Sequence, residues 1–317
     1  MKRWTCLLRA ALLLLTPAMA LEQPTDEELK ISAPSAILME RSTGTVLYEK
    51  NADEHMSPAS VTKIMTLLLI MEQLDSGQLA TSDIVTASAH ASSMGGSQIW
   101  LKEGEQLTVD EMLKAVCVVS ANDCAVALAE HLSGSEEAFV DRMNARAAEL
   151  GMEDTHFVNA CGLPAEGHVP SAYDIALMSR ELVLHHPDIR RYTTLWMDTL
   201  RDGQSSLVNT NKLVRFYPGC TGLKTGSTST AGYCLSATAE KDGMELIAVI
   251  LKGSTSAQRF EDAKTLLNHG FATYTLCPLS PAQALPPIPV TLGERQTVQP
   301  LAEEGKILLE KSQATDL

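Results

Sequence analysis

The spacing of hydrophobic positions changes along the chain from a strand-like to a helix-like pattern. Apolar residues at 36–39 and 46–48 flank a polar turn that contains Gly44, which predicts a β-hairpin over residues 35–49. Residues 64–71 are apolar almost all round, and this pattern is typical of a helix buried in a core. The run is too short to span a bilayer. We therefore expect two early strands followed by a buried helix.

Capping residues mark the beginnings of further helices. Thr108 with Glu111 has the spacing of a capping box, and Ser135 precedes two glutamates at the head of a helix that we expect to end near Gly151. Ser171 opens another predicted helix, which stops before Pro187. The region from about residue 60 to residue 187 is thus predicted to be mostly helical.

Strand signals return in the last third of the chain. Residues 232–239 and 245–251 are rich in strand formers and flank Asp242-Gly243, a strong hairpin turn. A helix from about Ser256 to Tyr274 follows, with its apolar residues on one face. The pattern predicts an α+β fold in which both ends of the domain build one antiparallel sheet. Helices flank this sheet, and a mostly helical region is inserted between its second and third strands.

The composition changes after Cys277. Five prolines between 278 and 289 indicate a linker, and residues 290–292, 297–298 and 307–309 resemble short strands. Some forty residues with three weak strands can hardly bury a core of their own. We predict a main domain over 21–277, and we interpret 278–317 as a proline-rich linker with the start of a small β-rich domain that is incomplete in this chain.

The first twenty residues have the three parts of a secretory signal peptide. Basic residues up to Arg9 precede an apolar run over 10–15, and Ala18-Met19-Ala20 is a small-x-small cleavage pattern. A retained membrane anchor is the alternative, but Arg9 leaves too short an apolar stretch to span a bilayer. We expect cleavage after Ala20 and export from the cytoplasm.

Charge and cysteine usage exclude several classes of protein. The net charge is −14, which argues against a nucleic-acid partner, because phosphate binding needs clustered Lys and Arg. No cysteine or histidine spacing suggests a metal site, so we expect neither metal nor organic cofactor. Cys117 and Cys124 are interpreted as buried free thiols, while any pairing among the other four mature cysteines stays open. We expect exposed or capping roles for the eight histidines.

The candidate nucleophile is Ser60, at the start of the buried helix. In Ser60-Val61-Thr62-Lys63 the hydroxyl and the amine lie on one helix face, because positions i and i+3 are neighbours. Lys63 can then act as the base that a serine nucleophile needs, provided that its pKa is lowered by burial and by neighbouring cations.

Two further segments carry groups that suit this chemistry. In Ser120-Ala121-Asn122 the serine can relay a proton to a leaving group, and Asn122 can hold a substrate amide or orient Lys63. Lys224-Thr225-Gly226 precedes the strand predicted near Gly232, and Lys224 would attract an anionic substrate and disfavour protonation of Lys63.

The backbone near these segments would complete the site. The N–H groups of Ser60 and Ser227 would form an oxyanion hole. The small Gly226 would let a substrate lie against the strand edge as an added β-strand.

The chain resembles the serine-type D-alanyl-D-alanine carboxypeptidases, the low-molecular-mass penicillin-binding proteins. Ser-x-x-Lys, a central Ser-x-Asn and Lys-Thr-Gly are known together from penicillin-binding proteins and class A β-lactamases. The resemblance covers roughly residues 30–275 and includes Pro58–Lys63, Asn209-Thr210-Asn211, Gly222–Gly226 and Ala231–Cys234.

The resemblance implies a penicillin-binding/β-lactamase-like transpeptidase fold and a carboxypeptidase catalytic domain over 21–277. It implies removal of the terminal D-alanine from peptidoglycan stem pentapeptides through an acyl-enzyme on Ser60, and covalent inhibition by β-lactams. In the family Thr225 and an arginine near the last helix help to bind the terminal carboxylate, and Arg259 is the candidate here. Family members also carry a C-terminal amphipathic helix on the membrane, so we expect membrane contact only through such a segment, which the sequence to Leu317 does not include.

Three other interpretations compete with this one. A class A β-lactamase shares the motifs, but the sequel of Glu166 is Gly167-His168-Val169 rather than the x-Leu-Asn of that family's loop. A phosphate loop at residues 219–225 would require glycine where Leu223 stands. A catalytically silent wall-binding or β-lactam-sensing module is disfavoured because the catalytic set is intact.

Overall fold

The computed structural model of the protein describes residues 29–279, 286–291, 297–300 and 305–314. The predicted signal peptide over 1–20 lies outside these residues. The strands, in chain order, are β1 (Ser35–Glu40), β2 (Val46–Lys50), β3 (Ile84–Thr86), β4 (Gln106–Thr108), β5 (Met197–Leu200), β6 (Ser205–Val208), β7 (Cys220–Thr228), β8 (Gly232–Lys241), β9 (Met244–Gly253), β10 (Tyr274–Leu279), β11 (Ile288–Pro289), β12 (Thr297–Val298) and β13 (Gly305–Glu310).

Most of the helices lie between β2 and β7 in the chain. In chain order they are α1 (Lys63–Asp75), α2 (Ala89–Ser92), α3 (Val109–Val118), α4 (Asn122–Ser133), α5 (Glu136–Glu149), α6 (Ala172–His185), α7 (Arg190–Thr193), α8 (Leu213–Phe216), α9 (Ser256–Thr273) and α10 (Lys311–Ala314). Two 3₁₀ turns, Ala59–Thr62 and Pro187–Ile189, precede α1 and α7.

The central sheet has five strands in the order β2-β1-β9-β8-β7, and every neighbouring pair is antiparallel. The two predicted hairpins, β1–β2 and β8–β9, are both present. Asp242 and Gly243 have positive φ angles between β8 and β9, as a tight turn of this kind requires. Since the helices α1 to α8 lie between β2 and β7 in the chain, the predicted α+β arrangement is confirmed.

The sheet is buried on both faces. Side chains alternate along a strand, so Ile37 and Met39 of β1 face the core shared with α1, whereas Ala36 and Leu38 face the core shared with α9. Residues 63–71 of α1 are all buried, which confirms the helix predicted from its apolar surface. The sheet thus separates a large helical layer from a second layer formed by α9.

The predicted helix beginnings are confirmed by their caps. Thr108 and Glu111 form a capping box, and the hydroxyls of Ser135 and Ser171 accept the N–H groups of Ala138 and Asp174. Local side-chain hydrogen bonds therefore fix where α3, α5 and α6 start.

The sequence analysis did not identify β7 as a strand. Lys224-Thr225-Gly226 precedes the strand that begins at Gly232, as predicted, but it also lies inside β7, which pairs with β8 from Cys220 to Thr228. This segment is polar and rich in glycine, so its sequence does not indicate a strand. Its strand structure is stabilised by pairing with β8. The three residues are consequently held in a fixed register at the edge of the sheet.

Short strands follow α9. β10 pairs with β13, which contains the predicted strand at 307–309, and β12 is the predicted strand at 297–298. Of the strand expected at 290–292, residues 290 and 291 are not in a strand and residue 292 lies outside the described residues; the neighbouring strand is Ile288–Pro289. The division of the chain at residue 277 stays a prediction, and β10 crosses it.

The six cysteines outside the predicted signal peptide are all free thiols. Cys117 and Cys124 are buried, as predicted. Within the described parts of the chain, no helix combines the length and the apolar character needed to cross a bilayer.

Candidate active site

Ser60 lies in the 3₁₀ turn that leads into α1. The preceding Ala59 has a φ of +49°, a conformation that alanine rarely adopts, and such strain is typical of functional turns. Ser60 is half-buried, and its Oγ lies 3.0 Å from the Nζ of Lys63. The predicted i, i+3 pair is therefore formed.

Lys63 is fully buried and donates three hydrogen bonds. Besides Ser60 Oγ, its Nζ contacts Asn122 Oδ1 at 2.5 Å and the carbonyl oxygen of Cys161 at 2.6 Å. Burial lowers the pKa of Lys63 to about 8, although Cys161 and Asp123 act in the opposite direction. Burial is therefore the main reason why Lys63 can lose its proton at moderate pH.

The Ser120–Asn122 segment joins α3 to α4 beside Lys63. Ser120 has a φ of +65°, and its buried Oγ has no hydrogen-bond partner among the described residues. Asn122 is the first residue of α4, and its Nδ2 donates to the carbonyl of Gly95 at 2.7 Å. This bond fixes the amide so that Oδ1 faces Lys63, which suits the orienting role predicted for Asn122.

Lys224 is also buried, on β7. Its Nζ donates to the carbonyl of Thr225 at 2.9 Å. Burial, and then the charge of Lys63, hold the pKa of Lys224 well below its usual value. The charge of Lys63 therefore disfavours protonation of Lys224.

β7 is an edge strand whose free side borders the nucleophile turn. A Cβ atom at Gly226 would lie 2.8 Å from Pro58 O and 3.0 Å from the nitrogens of Ser60 and Val61. Only glycine therefore allows this approach. Ser227 is exposed beside Gly226, and no strand pairs with the free edge within the described residues.

Thr210 joins the site although the sequence assigned it no role. Its hydroxyl lies 2.7 Å from that of Thr225, and its N–H donates to the carbonyl of Val118, close to Ser120. Asn211 donates from Nδ2 to the carbonyl of Gly222. The Asn209-Thr210-Asn211 segment therefore ties the Ser120 loop to β7.

Arg259 lies behind β7 rather than on an exposed helix face. It is only 6% exposed, and its Nη1 donates to the carbonyls of Gly226 at 2.9 Å and Cys234 at 3.1 Å. Its guanidinium also lies over the rings of Phe260 and Tyr233. Arg259 therefore supports the strand segment that approaches Ser60.

The expectation of exposed or capping roles for the histidines was wrong at His168, whereas His186 is buried but is the C-cap residue of α6. His168 is 3% exposed and His186 is 9% exposed. His168 bonds to Thr62 and to the backbone of Val158, whereas His186 pairs with Asp75. The contacts with Thr62 and Asp75 join residues 106 and 111 positions apart, so no local pattern marks them.

No carboxylate contacts the Lys63 amine through a hydrogen bond among the described residues. Its acceptors are a hydroxyl, an amide oxygen and a peptide carbonyl. Glu166 is exposed. In the described ranges, no group of three or more His, Cys, Asp or Glu side chains is arranged to hold a metal ion.

Comparison with known proteins agrees with this geometry. The D-alanyl-D-alanine carboxypeptidase family profile matches residues 19–255. The chain is 46% identical to D-alanyl-D-alanine carboxypeptidase DacF of Bacillus subtilis (strain 168), with 98% of this chain and 82% of that protein covered.

Solved structures share the fold. Penicillin binding protein 5 from Haemophilus influenzae superposes with a TM-score of 0.83 at 29% identity, covering 93% of this chain and 86% of that chain. Penicillin-Binding Protein D2 from Listeria monocytogenes, in its ampicillin-bound form, gives a TM-score of 0.70 at 33% identity, covering 76% and 98%. The predicted penicillin-binding fold is confirmed, and the chain belongs to the D-alanyl-D-alanine carboxypeptidase family.

Proposed function

We propose that this serine carboxypeptidase removes the terminal D-alanine from peptidoglycan stem pentapeptides through an acyl-enzyme on Ser60. The observation that carries the proposal is the 3.0 Å contact between Ser60 Oγ and the buried amine of Lys63. Serine is a weak nucleophile, and a neighbouring amine with a lowered pKa supplies the base that it needs.

In the acylation step, neutral Lys63 accepts the Ser60 proton while Oγ attacks the carbonyl carbon of the penultimate D-alanine. The N–H groups of Ser60 and Ser227 stabilise the resulting oxyanion. Collapse of the tetrahedral intermediate breaks the peptide C–N bond, and Ser120 relays the proton held by Lys63 to the departing D-alanine amine. Water then attacks the ester carbonyl and gives a proton to the neutral Lys63. Lys63 passes this proton to Ser60 as the ester C–O bond breaks and the shortened peptide leaves.

The free edge of β7 receives the substrate as an additional strand. The close packing of Gly226 on the turn of Ser60 brings the substrate backbone to the nucleophile. A terminal carboxylate beside Lys224 favours the protonated form of its amine, so Lys224 and Thr225 bind this carboxylate together, and Arg259 supports them from behind the strand. This arrangement selects peptides that end in a free carboxylate.

We infer that β-lactams acylate the same serine. A β-lactam presents a carbonyl and a carboxylate in the places of the scissile bond and the terminal carboxylate. The exposed position of Glu166, and the absence of a carboxylate among the described acceptors of Lys63, favour slow deacylation over β-lactamase activity. The assembled set of Ser60, Lys63 and Asn122 disfavours a silent binding module.

We further propose that the protein acts in the cell envelope after export. The signal-peptide pattern over residues 1–20 supports cleavage after Ala20. The substrate, peptidoglycan, lies outside the cytoplasmic membrane.

The direct test is release of D-alanine from a synthetic stem pentapeptide ending in D-Ala-D-Ala. The wild-type protein should release one D-alanine per pentapeptide, and Ser60→Ala should release no D-alanine above background. A matched peptide ending in L-alanine is the substrate control. Equal release by Ser60→Ala, or no release by a folded wild-type protein, would overturn the proposed function.

A further inference from the structure

A buried histidine lies between the nucleophile turn and the loop over residues 158–162. The Nε2 of His168 lies 2.7 Å from Thr62 Oγ1, and its Nδ1 lies 3.0 Å from the backbone nitrogen of Val158. A backbone N–H can only donate, so Nδ1 must carry a lone pair. A neutral ring therefore carries its proton on Nε2 and donates it to Thr62.

The two segments that His168 contacts each hold part of the catalytic pair. Thr62 immediately precedes Lys63 and is fully buried. The loop 158–162 supplies the carbonyl of Cys161, which accepts a hydrogen bond from Lys63 Nζ at 2.6 Å. The imidazole thus bridges the element that carries the base and the element that orients it.

The loop packs against the nucleophile turn without space between them. A Cβ atom at Gly162 would lie 1.9 Å from Ala59 O and 2.9 Å from Thr62 Oγ1. Asn159 Oδ1 also accepts the N–H groups of Gly162 and Leu163, which keeps the loop compact. A small shift of the loop would therefore move both the carbonyl of Cys161 and the turn that carries Ser60.

We propose that His168 is a positioning residue for acylation: its neutral imidazole ties the Ser60–Lys63 turn to the 158–162 loop and so fixes the Lys63 amine between Ser60 Oγ and the Cys161 carbonyl. This role rests on the proposed function. His168 acts through Thr62 and the loop and does not touch the reacting atoms.

The surroundings of His168 keep the ring neutral. Burial, and then His156 across the bridge to Val169, lower its pKa to about 4. The other titratable groups on or near the bridged segments are Lys63, which follows Thr62, Cys161 in the loop, Glu136, which accepts the Ala160 N–H, and the exposed Glu166. A protonated ring would present a second N–H to the donor of Val158, so only the neutral form can make both bonds.

Three substitutions test the two hydrogen bonds of His168, with Thr62 and with Val158, separately. His168→Asn keeps an acceptor near the place of Nδ1, His168→Gln keeps a donor near the place of Nε2, and His168→Ala keeps neither. His55→Ala is a matched control, because His55 is exposed and pairs with Asp154 at the surface. Each variant is reacted with benzylpenicillin, and the acylation rate constant at saturation is calculated per active site from the adduct stoichiometry.

We expect His168→Ala to lower this rate constant by roughly 10- to 100-fold, because a misplacement near 1 Å has effects of this size. The dissociation constant for penicillin should change by less than about threefold, since the binding edge of β7 is untouched. Asn and Gln should give smaller losses, and His55→Ala should match the wild type. The pH midpoint of acylation should rise in His168→Ala, because a loosened loop admits water to Lys63 and relieves the burial that lowers its pKa.

Hydrogen exchange at the Val158 amide reports on its hydrogen bond to His168 and does not require the enzyme to turn over a substrate. Exchange should accelerate in His168→Ala and His168→Gln and stay slow in His168→Asn. The positioning role is wrong if His168→Ala acylates with the wild-type rate constant and the wild-type pH midpoint. It is also wrong if the only defect of His168→Ala is a smaller fraction of protein that forms an adduct. If the wild-type protein forms no adduct, the proposed function itself is wrong, and the positioning role of His168 fails with it.

Discussion

The amine of Lys63 lies 3.0 Å from the hydroxyl of Ser60 and is excluded from solvent. Its other acceptors, an amide oxygen and a peptide carbonyl, are uncharged, so no hydrogen-bonded carboxylate among the described residues favours its protonated form. Burial can therefore lower its pKa, and the geometry holds the lysine ready to accept the serine proton.

Replacing Lys63 by arginine tests the proposed base. Arginine keeps the positive charge but does not lose its proton in proteins, so it cannot accept one from Ser60. Acylation by benzylpenicillin should fall by about 10²- to 10⁴-fold, the usual contribution of general-base catalysis. Stopped-flow or quenched mass measurements give the rate constant, and an acylation rate within threefold of wild type would exclude Lys63 as the base.

The rate of acylation should increase with pH up to about 8. Burial lowers the pKa of Lys63 from 10.5 to about 8, and only the neutral amine accepts a proton. Below that value the neutral fraction, and with it the rate, should rise about tenfold per pH unit, and above it the rate should level off. A profile of the acylation rate constant from pH 6 to 9.5 checks this, and a rate that is flat or falls over this range would contradict the assignment.

Substituting Gly226 by alanine should separate β7 from the nucleophile. The new Cβ would approach backbone atoms of Pro58, Ser60 and Val61 at 2.8–3.0 Å, so the strand or the turn must move. We expect acylation to slow by roughly 10- to 100-fold and the free energy of unfolding to fall by about 1–3 kcal/mol. Gly305→Ala is the control, because a Cβ there meets only ordinary contacts at 3.7 Å. Wild-type acylation by Gly226→Ala would show that this close approach is not required.

Arg259→Gln tests whether Arg259 supports the part of β7 that binds the terminal carboxylate of the substrate. Loss of the guanidinium leaves the buried carbonyls of Gly226 and Cys234 without this donor, which should lower the free energy of unfolding by about 1–3 kcal/mol. We also expect KM for the pentapeptide to rise by about tenfold, because the charge behind β7 is removed. Lys264→Gln on the same helix is the control, since Lys264 pairs with its neighbour Glu261 at the surface. An unchanged KM in a folded Arg259→Gln protein would remove Arg259 from the binding site.

Local signals in the sequence predicted much of the fold. The helix α1 was recognisable because its residues are apolar all round, and the capping residues Thr108, Ser135 and Ser171 mark helix starts through contacts three residues away. The β8–β9 hairpin follows from Asp242-Gly243 between two strand-forming segments. Each of these features depends on neighbours in the chain.

The features that sequence reasoning missed depend on distant partners. β7 contains Gly222 and Gly226 and has little apolar alternation, so its strand structure comes from pairing with β8. The Cys161 carbonyl meets Lys63 across 98 positions of the chain, and His168 meets Thr62 across 106. A backbone carbonyl is present at every residue, and nothing in the local pattern marks the one that contacts the base.

The role of Ser60 as nucleophile is tested most directly by intact-mass spectrometry after brief exposure to benzylpenicillin, with wild-type and Ser60→Ala proteins compared. We expect a long-lived adduct of one penicillin on the wild type and none on Ser60→Ala. Rapid loss of penicillin without a trapped adduct would indicate a β-lactamase instead. If neither an adduct nor a loss of penicillin is observed, the claim that Ser60 is a nucleophile is contradicted.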